Sequence, residues 1–307
     1  MQGQGFGDLG YKKRRILDTL GYSGGRLLLQ SYEGSLSESY QIMNLLQAII
    51  LGIVQGLSEF LPISSSGHLA LANHILGVEG DNLMYFLLLH IATLLSVFTV
   101  FFRDILGLFR KPFKTLGLVI LATIPAVLTG MLLSPLVGRA FGDLRFLTLF
   151  FLITAILLYT TEILVNHKKK DGNMLIVEKK DKDIGLKVGL IMGFSQALAL
   201  FPGLSRSGTT ISSGLLAGGD RKKVAKFSFF MSIPITLGAT VFEGAQGVVG
   251  GTLHFSPYML LGMIAAYISG VLALILMMKV IPKINFKWFS LYLVAIAIIC
   301  FGIITFV

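Results

Sequence analysis

Eight long apolar segments, joined by short polar connections, constrain this chain more than any other feature of its sequence. They lie near residues 44–61, 83–102, 115–137, 144–165, 185–201, 224–247, 256–280 and 286–307. A helix that crosses a membrane needs about 20 apolar residues. Only 14% of the chain is charged, against about 25% in soluble domains. These features exclude a soluble globular enzyme, a disordered chain and a disulfide scaffold, and they predict an all-α polytopic membrane protein.

Residues 1–42 differ from the rest of the chain. They are rich in Gly and Ser, carry a basic run at 12–15 and have no long apolar stretch. A secretory signal needs an apolar core behind its basic residues, so we predict instead either a poorly ordered N-terminal extension or a start codon placed too early, with Met43 as a natural start. The membrane domain is predicted over 43–307. Its two halves, about 43–165 and 185–307, flank a basic loop at 166–184.

Two of the apolar segments run into sequences that break helices. Segments 44–61 and 185–201 are followed by Pro-, Gly- and Ser-rich stretches at 62–67 and 202–208, and then by another short apolar piece. Proline and glycine interrupt a helix at such positions. Broken backbone inside a bilayer persists only where protein or a water-filled cavity satisfies its polar groups. We therefore predict six full spans and two re-entrant helical hairpins that line an intramembrane cavity.

The two hairpins belong to an internal repeat. Residues 52–68 align without a gap on residues 193–209, an offset of 141, and seven of the seventeen positions are identical. Because three predicted spans follow each hairpin, the two copies should have opposite orientations. Inverted repeats with broken helices bring their loops together near the middle of the bilayer. The sequence thus predicts an inverted-topology repeat whose two loops meet at the functional site.

The charge of the connections indicates the orientation of the protein. Basic residues collect at 103–114, 166–183, 220–226 and 279–287, whereas 77–82 and 248–255 contain no Lys or Arg. The positive-inside rule places the basic connections in the cytoplasm, and the site is then expected to open to the outer face. The basic run at 12–15 would lie outside, against this rule. We attribute the net charge of +10 to these loops and their contact with anionic membrane lipids, and expect no nucleic-acid partner.

The repeat is most informative where its copies diverge. The first copy has Glu59, Ser65 and His68 where the second has Leu200, Arg206 and Thr209. A charged side chain at the centre of a bilayer is unfavourable by about 3 kcal/mol or more. Such groups mark function by default, so we take them as the candidate site.

Together these residues suit phosphate chemistry. The planar guanidinium of Arg206 matches phosphate oxygens, and Gly67 and Gly208 allow backbone N–H groups to approach an anion where a helix begins. Glu59 and His68 accompany Ser65, which is the equipment of acid–base and nucleophilic catalysis. The residues expected to bind the substrate are Gln55, Ser64, Ser66, Gly67, Ser205, Ser207, Gly208, Thr209 and Thr210.

Other titratable residues are interpreted as structural. Glu162 lies near the end of its span and is expected to extend its carboxylate to the interface. His90 lies in an apolar span and is expected to pack there. Cys300 is the single cysteine, so it cannot form an intrachain disulfide or a cysteine-based metal site.

The strings QGLSEFLPISSSGH at 55–68 and PGLSRSGTT at 202–210 strongly resemble the two signatures of the undecaprenyl-diphosphatase family of the bacitracin-resistance type. The resemblance extends from about residue 43 to the C-terminus. It implies removal of the terminal phosphate of undecaprenyl diphosphate, which yields the monophosphate carrier for cell-wall glycan assembly. By this resemblance Glu59, Ser65 and His68 match the carboxylate, serine and histidine of the first motif, and Arg206 matches the arginine of the second. Gln55 stands where many members have a first glutamate, so Glu59 is expected to act as the only motif carboxylate.

We expect hydrolysis of a polyprenyl diphosphate whose tail lies between helices. Ser65 is the preferred nucleophile, with Glu59 or His68 taking its proton and His68 protonating the leaving oxygen, while a phospho-enzyme on His68 is the rival. A divalent cation, Mg²⁺ or Ca²⁺, is expected on Glu59 and the diphosphate. The alternative function is a transporter or flippase for an anionic lipid or solute, because many transporters are also built from inverted repeats with broken helices. Homo-oligomerisation is left open.

Overall fold

The computed structural model describes residues 43–78, 82–141, 143–170, 184–251, 253 and 255–306. The predicted extension at 1–42, the outer loop at 79–81 and most of the basic loop at 166–184 lie outside the described residues. The helices are α1 (Leu45–Phe60), α2 (Ser65–Ile75), α3 (Leu83–Val100), α4 (Phe102–Leu108), α5 (Lys114–Phe141), α6 (Leu144–Lys170), α7 (Leu186–Leu198), α8 (Arg206–Leu216), α9 (Arg221–Gly250), α10 (Pro257–Val280) and α11 (Lys287–Phe306).

The all-helical prediction is confirmed. Within the described ranges, every regular element is a helix. Six helices, α3, α5, α6, α9, α10 and α11, are long and apolar enough to cross a membrane. The other two long apolar segments form the shorter helices α1 and α7, because the Pro- and Gly-rich sequences end them early. The chain is therefore a polytopic helical membrane protein.

Each broken segment forms a closed helical hairpin. α1 packs against α2 and α7 against α8. In the first hairpin, Nε2 of Gln47 at the start of α1 donates to the carbonyl of Leu76 at the end of α2 over 3.0 Å. In the second, Gly219, just after α8, adjoins the side chain of Val188 near the start of α7. The chain therefore returns to the level at which it entered, while re-entry into a bilayer stays a prediction.

Each hairpin packs along a span of the other half. α1 lies against α10 and α7 against α5. Gly52 of α1 abuts the backbone of Gly262, and its repeat counterpart Gly193 abuts the backbone of Ala122, so closely that a β-carbon on either glycine would overlap its neighbour. Small residues permit such close helix contacts in membranes. The repeat seen in the sequence thus reappears as a repeat of packing.

These contacts also fix the direction of the helices. Four residues after Gly52, Gly56 abuts Ala266, and four residues before Gly193, Gly189 abuts Leu118. The residue numbers of the contacting positions therefore increase together in each helix pair, so α1 runs parallel to α10 and α7 runs parallel to α5.

The two hairpins point in opposite directions. Tyr85 and Ser96 of α3 contact Gly262 and Gly270 of α10, so α3 is also parallel to α10. α9 is antiparallel to α3, because Gly244 and Gly247 adjoin Leu87 and Leu83 respectively. The first turns of α5 and α9 line one pocket, so α5 also runs opposite to α3. Since α1 follows the direction of α10 and α7 that of α5, the hairpins are inverted with respect to each other, as the repeat predicts.

The expectation that Glu162 extends to the interface is wrong. Its residue is only 4% exposed, and Oε2 accepts a bond from Arg221 Nη2 at 2.7 Å and from the Phe286 N–H at 3.2 Å. Nδ2 of Asn166 donates to Oε1 at 3.0 Å. A buried carboxylate is tolerated when it is paired and hydrogen-bonded, and here it joins α6 to the start of α9 and of α11.

Candidate active site

The tips of the two hairpins meet, which places the two motifs side by side. The hydroxyl of Ser207 donates to the carbonyl of Leu61 over 2.8 Å. The contacts between the loops are also reciprocal, because Gly67 abuts Gly203 and Gly208 abuts Pro62. The predicted apposition of 62–67 and 202–208 is therefore what the structure shows.

The loop before α2 turns sharply at Ser64. This residue has φ of 71°, a conformation that is unusual for a residue other than glycine and costs about 1–3 kcal/mol. Its hydroxyl accepts a bond from the Gly67 N–H at 3.3 Å, which caps the helix. The hydroxyl of Ser66 lies 3.4 Å from that of Ser64. The turn places Ser65 as the first residue of α2, directly after the strained position.

Ser205 caps α8 in the same way. Its hydroxyl accepts from the Gly208 N–H at 3.0 Å, and its own N–H donates to Thr154 Oγ1 at 3.1 Å. The Gly67 and Gly208 N–H groups are thus engaged with the capping serines in this structure. Their expected role in binding the substrate anion stays a prediction.

Glu59 is the centre of the site. It lies in the last turn of α1 and is 8% exposed. Oε1 accepts a hydrogen bond from Arg206 Nη2, and Oε2 accepts from the Ser65 hydroxyl at 2.5 Å and from Gln55 Nε2 at 3.0 Å. The carboxylate of one hairpin is therefore neutralised by the guanidinium of the other, as a buried charge requires.

The Ser65–Glu59 contact has the arrangement that a serine nucleophile and its base would need. A serine hydroxyl becomes reactive when an adjacent base can take its proton, and the Ser65 proton is directed at Oε2 of Glu59. Of the two bases that the sequence left open, this geometry favours Glu59.

Arg206 is held between two elements. It is the first residue of α8, and besides Glu59 its Nη1 donates to Thr236 Oγ1 of α9 at 3.4 Å. Thr236 carried no signal in the sequence, since only the packing of α9 against α8 brings it here. A guanidinium has five N–H donors, so further donors remain for phosphate oxygens.

Both ring nitrogens of His68 have partners other than Ser65. Its Nδ1 lies 2.8 Å from the carbonyl of Ser64, so this nitrogen carries a hydrogen, and its Nε2 lies 2.8 Å from the hydroxyl of Tyr292 on α11. The ring packs edge-on against Phe151 of α6, with centroids 5.3 Å apart. Sequence reasoning missed Tyr292 and Phe151 because they lie in spans without a distinguishing motif. His68 joins the first hairpin to α6 and α11.

Two buried polar atoms of the motif segments lack a partner among the described residues. Oε1 of Gln55 and the hydroxyl of Thr209 have no hydrogen-bond partner within the part of the chain that is described. A buried unpaired polar group costs about 1–3 kcal/mol and calls for water or a ligand. By contrast, the hydroxyl of Thr210 donates to the carbonyl of Arg206 at 2.8 Å and lies 2.6 Å from that of Ser228, so it joins α8 to α9.

The fold and the site define a class of protein: an inverted-repeat helical membrane protein in which one broken hairpin supplies a serine–carboxylate pair and the other an arginine. Comparison with known families agrees with this description. The family model described as "Bacitracin resistance protein BacA" matches residues 48–299, and the chain belongs to this family.

Relatives from distant organisms align over nearly their whole length. The undecaprenyl-diphosphatase of Thermosipho africanus is 37% identical over 260 residues, which cover 82% of this chain and 98% of the relative. That of Methanosphaera stadtmanae is 38% identical over 282 residues, covering 84% and 97%. That of Christiangramia forsetii is 36% identical over 274 residues, covering 85% and 99%.

Proposed function

We propose that this protein hydrolyses undecaprenyl diphosphate to the monophosphate and inorganic phosphate, and so recycles the lipid carrier for cell-wall glycan synthesis. The observation that carries this function is the bonding of Glu59 to both Ser65 and Arg206. It joins a nucleophile, a base and a phosphate-binding group at one point. The names of the relatives agree with the same reaction.

In the proposed reaction, Ser65 Oγ attacks the terminal phosphorus and Glu59 takes the hydroxyl proton. The bridging P–O bond breaks and undecaprenyl monophosphate leaves, while Arg206 stabilises the charge on the transferred phosphoryl oxygens. Glu59 passes this proton to the oxygen of the leaving monophosphate, with His68 assisting the transfer, and is a carboxylate again. It then deprotonates the water that hydrolyses the phosphoserine to inorganic phosphate, and it returns that second proton to Ser65. Because the substrate competes with Glu59 for Arg206, binding releases the carboxylate to act as a base. The rival phospho-enzyme on His68 would require loss of a bond to Ser64 or Tyr292, which favours Ser65.

A divalent cation is proposed on Glu59, and the residues present fit one. Glu59 offers a carboxylate, and the unpartnered Oε1 of Gln55 is a second oxygen donor beside it. Mg²⁺ is often held by one or two such groups together with substrate phosphates. Within the described ranges, no three His, Cys, Asp or Glu residues form a cage, so the phosphates would complete the shell. The ion would neutralise part of the negative charge of the diphosphate.

Metal binding can be tested without turnover. Mn²⁺ with inorganic pyrophosphate serves as the probe, and electron paramagnetic resonance reports the bound ion. Gln55→Leu should weaken Mn²⁺ binding, whereas Gln246→Leu on α9 should not. Equal binding by both variants would remove Gln55 from the ligand set.

The prenyl tail is proposed to lie between α6 and α11. A groove of about 580 Å³ follows this seam, and its lining is almost entirely apolar. Leu152 and Leu291 line it, and each adjoins in sequence a residue that contacts His68, namely Phe151 and Tyr292. The groove therefore lies close to the residues that contact His68, and it has the apolar character that an isoprenoid chain requires.

The site is proposed to open to the outer face. The described connections at the opposite end carry the basic residues, including Lys111 and Lys222, as expected for the cytoplasm. In a background with Cys300→Ala, a cysteine at Ser256 should be labelled from outside intact cells. One at Lys283 should require permeabilised cells, and the reverse pattern would invert the orientation.

Phosphate release from undecaprenyl diphosphate by detergent-solubilised protein tests the reaction itself. A transporter would release no phosphate, because it moves its solute between sealed compartments without breaking a bond. The names of the relatives do not favour that alternative. Glu59→Gln should abolish release because the base is lost. Unchanged release by Glu59→Gln would contradict the proposed chemistry.

A further inference from the structure

A second pocket, of about 470 Å³, lies where α4, the α4–α5 connection and the first turns of α5 and α9 come together. It shares no residue with the candidate active site. Its basic lining residues are Arg110, Lys111, Lys114, Lys222, Lys223 and Lys226. Among the described residues that line it, Asp104 is the sole carboxylate, and it already pairs with Lys226 Nζ at 2.7 Å. The pocket therefore has a strong positive charge.

The floor of the pocket is apolar. Phe227 and Phe230 of α9 are buried beneath it, and Lys226 Nζ lies 5.7 Å from the centre of the Phe230 ring. On the neighbouring surface, Phe109 and Phe113 are 62% and 44% exposed. A cationic rim over an apolar floor, beside exposed aromatic side chains, suits a ligand with both a phosphate and hydrocarbon.

The start of α5 adds to this preference for an anion. α5 begins at Lys114 and extends over 28 residues, and its first turn lines the pocket. The N-terminus of a helix carries a partial positive charge and unpaired N–H groups. In the neighbouring α9, by contrast, the carboxylate of Asp220 accepts from the N–H groups of Lys222 and Lys223 at 3.0 Å each.

We propose that this pocket binds the phosphate groups of an anionic phospholipid, with a preference for cardiolipin, because its two phosphates can contact more of the six basic side chains than one phosphate can. Basic pockets between the ends of spans bind such head groups. The hydrocarbon chains would extend from the pocket across the exposed aromatic residues of the α4–α5 connection. A free phosphate ion has the same head-group chemistry but makes no use of the apolar surface.

Native mass spectrometry of the full chain in detergent, titrated with cardiolipin, tests the proposal without reference to hydrolysis. The variant Lys111→Gln/Lys114→Gln/Lys222→Gln should retain cardiolipin about tenfold less well or worse, since each basic residue near an anionic head group contributes a factor of about five. The matched control Lys187→Gln/Lys279→Gln/Lys283→Gln removes the same charge from exposed positions outside the pocket. It should stay within twofold of the parent.

Three outcomes would overturn the proposal. Equal retention by parent and pocket variant would show that the pocket does not bind the lipid. Equal losses in both triple variants would show a general effect of charge. Displacement of cardiolipin by inorganic phosphate at a matched phosphate concentration would indicate a free-anion site. If the pocket variant does not elute as a single species, Lys114→Gln and Lys222→Gln are measured separately, each with an expected loss of about fivefold and with Lys187→Gln as control.

Discussion

The hydroxyl of Ser65 donates to Oε2 of Glu59 over 2.5 Å, across the break between α1 and α2. The break makes this bond possible, because in a continuous helix residues six positions apart lie on different faces. The left-handed turn at Ser64 brings Ser65 back over the end of α1. A helix-breaking sequence thus brings the Ser65 hydroxyl to the Glu59 carboxylate.

The first prediction concerns Arg206. Arg206→Lys should lose most phosphate release although charge is kept, because lysine cannot make the paired bonds by which a planar guanidinium holds phosphate oxygens. Initial rates with undecaprenyl diphosphate measure the effect. Arg145→Lys, at the exposed start of α6, is the matched control. Activity of Arg206→Lys within threefold of the parent would show that Arg206 does not clamp phosphate.

The choice of nucleophile predicts opposite patterns for two variants. If Ser65 attacks, Ser65→Ala should abolish turnover, while His68→Ala keeps slow hydrolysis, since acid–base assistance is worth about 10²–10⁴-fold. Ser195→Ala, whose hydroxyl donates to Met192 within α7, is the serine control. Rapid quenching with substrate labelled in its terminal phosphate detects the intermediate, and label on His68 would exclude Ser65 as the nucleophile.

Tyr292 should act through His68. Tyr292→Phe removes the hydroxyl that lies 2.8 Å from His68 Nε2, and one such bond is worth about 1 kcal/mol. We expect kcat to fall about fivefold with KM little changed. Tyr267→Phe, whose hydroxyl contacts Thr99 instead, should leave both constants unchanged. A change in KM alone for Tyr292→Phe would assign this residue to substrate binding.

The α6–α11 groove predicts a dependence on chain length. Val294→Trp fills the groove and should raise KM for undecaprenyl diphosphate but not for a short, water-soluble prenyl diphosphate. Ile298 lies one turn further along α11 and is 65% exposed, so Ile298→Trp is the control. Equal KM values for both substrates in Val294→Trp would place the tail elsewhere.

Deletion of residues 1–42 should leave folding and turnover nearly unchanged. The family match begins at residue 48, and the deleted segment offers no apolar face to pack against the spans. Membrane fractionation and phosphate release measure the outcome. Loss of membrane insertion would show that the domain boundary at residue 43 is misplaced.

The architecture could be predicted because its signals are local. Apolar length marks the spans, Pro62 and Pro202 mark the breaks, and the repeat from Gly52 to Gly193 indicates the inverted halves. Hydropathy and helix-breaking residues act over a few positions in the chain. Glu59, Ser65 and Arg206 could be identified for the same reason, because polar residues next to long apolar segments can be recognised from the sequence alone.

Only the tertiary structure decided which partners these residues have. His68 was expected beside Ser65, but its ring bonds with Tyr292, which is 224 positions away, and Glu162 was expected at the surface but pairs with Arg221 inside. Both outcomes depend on how α6 and α11 pack on each other and on the neighbouring helices. The sequence by itself determined the spans, the breaks and the chemical groups, because local forces suffice for them. The bonding of those groups required the packed bundle, because a buried polar side chain takes whichever partner the neighbouring helices bring within reach.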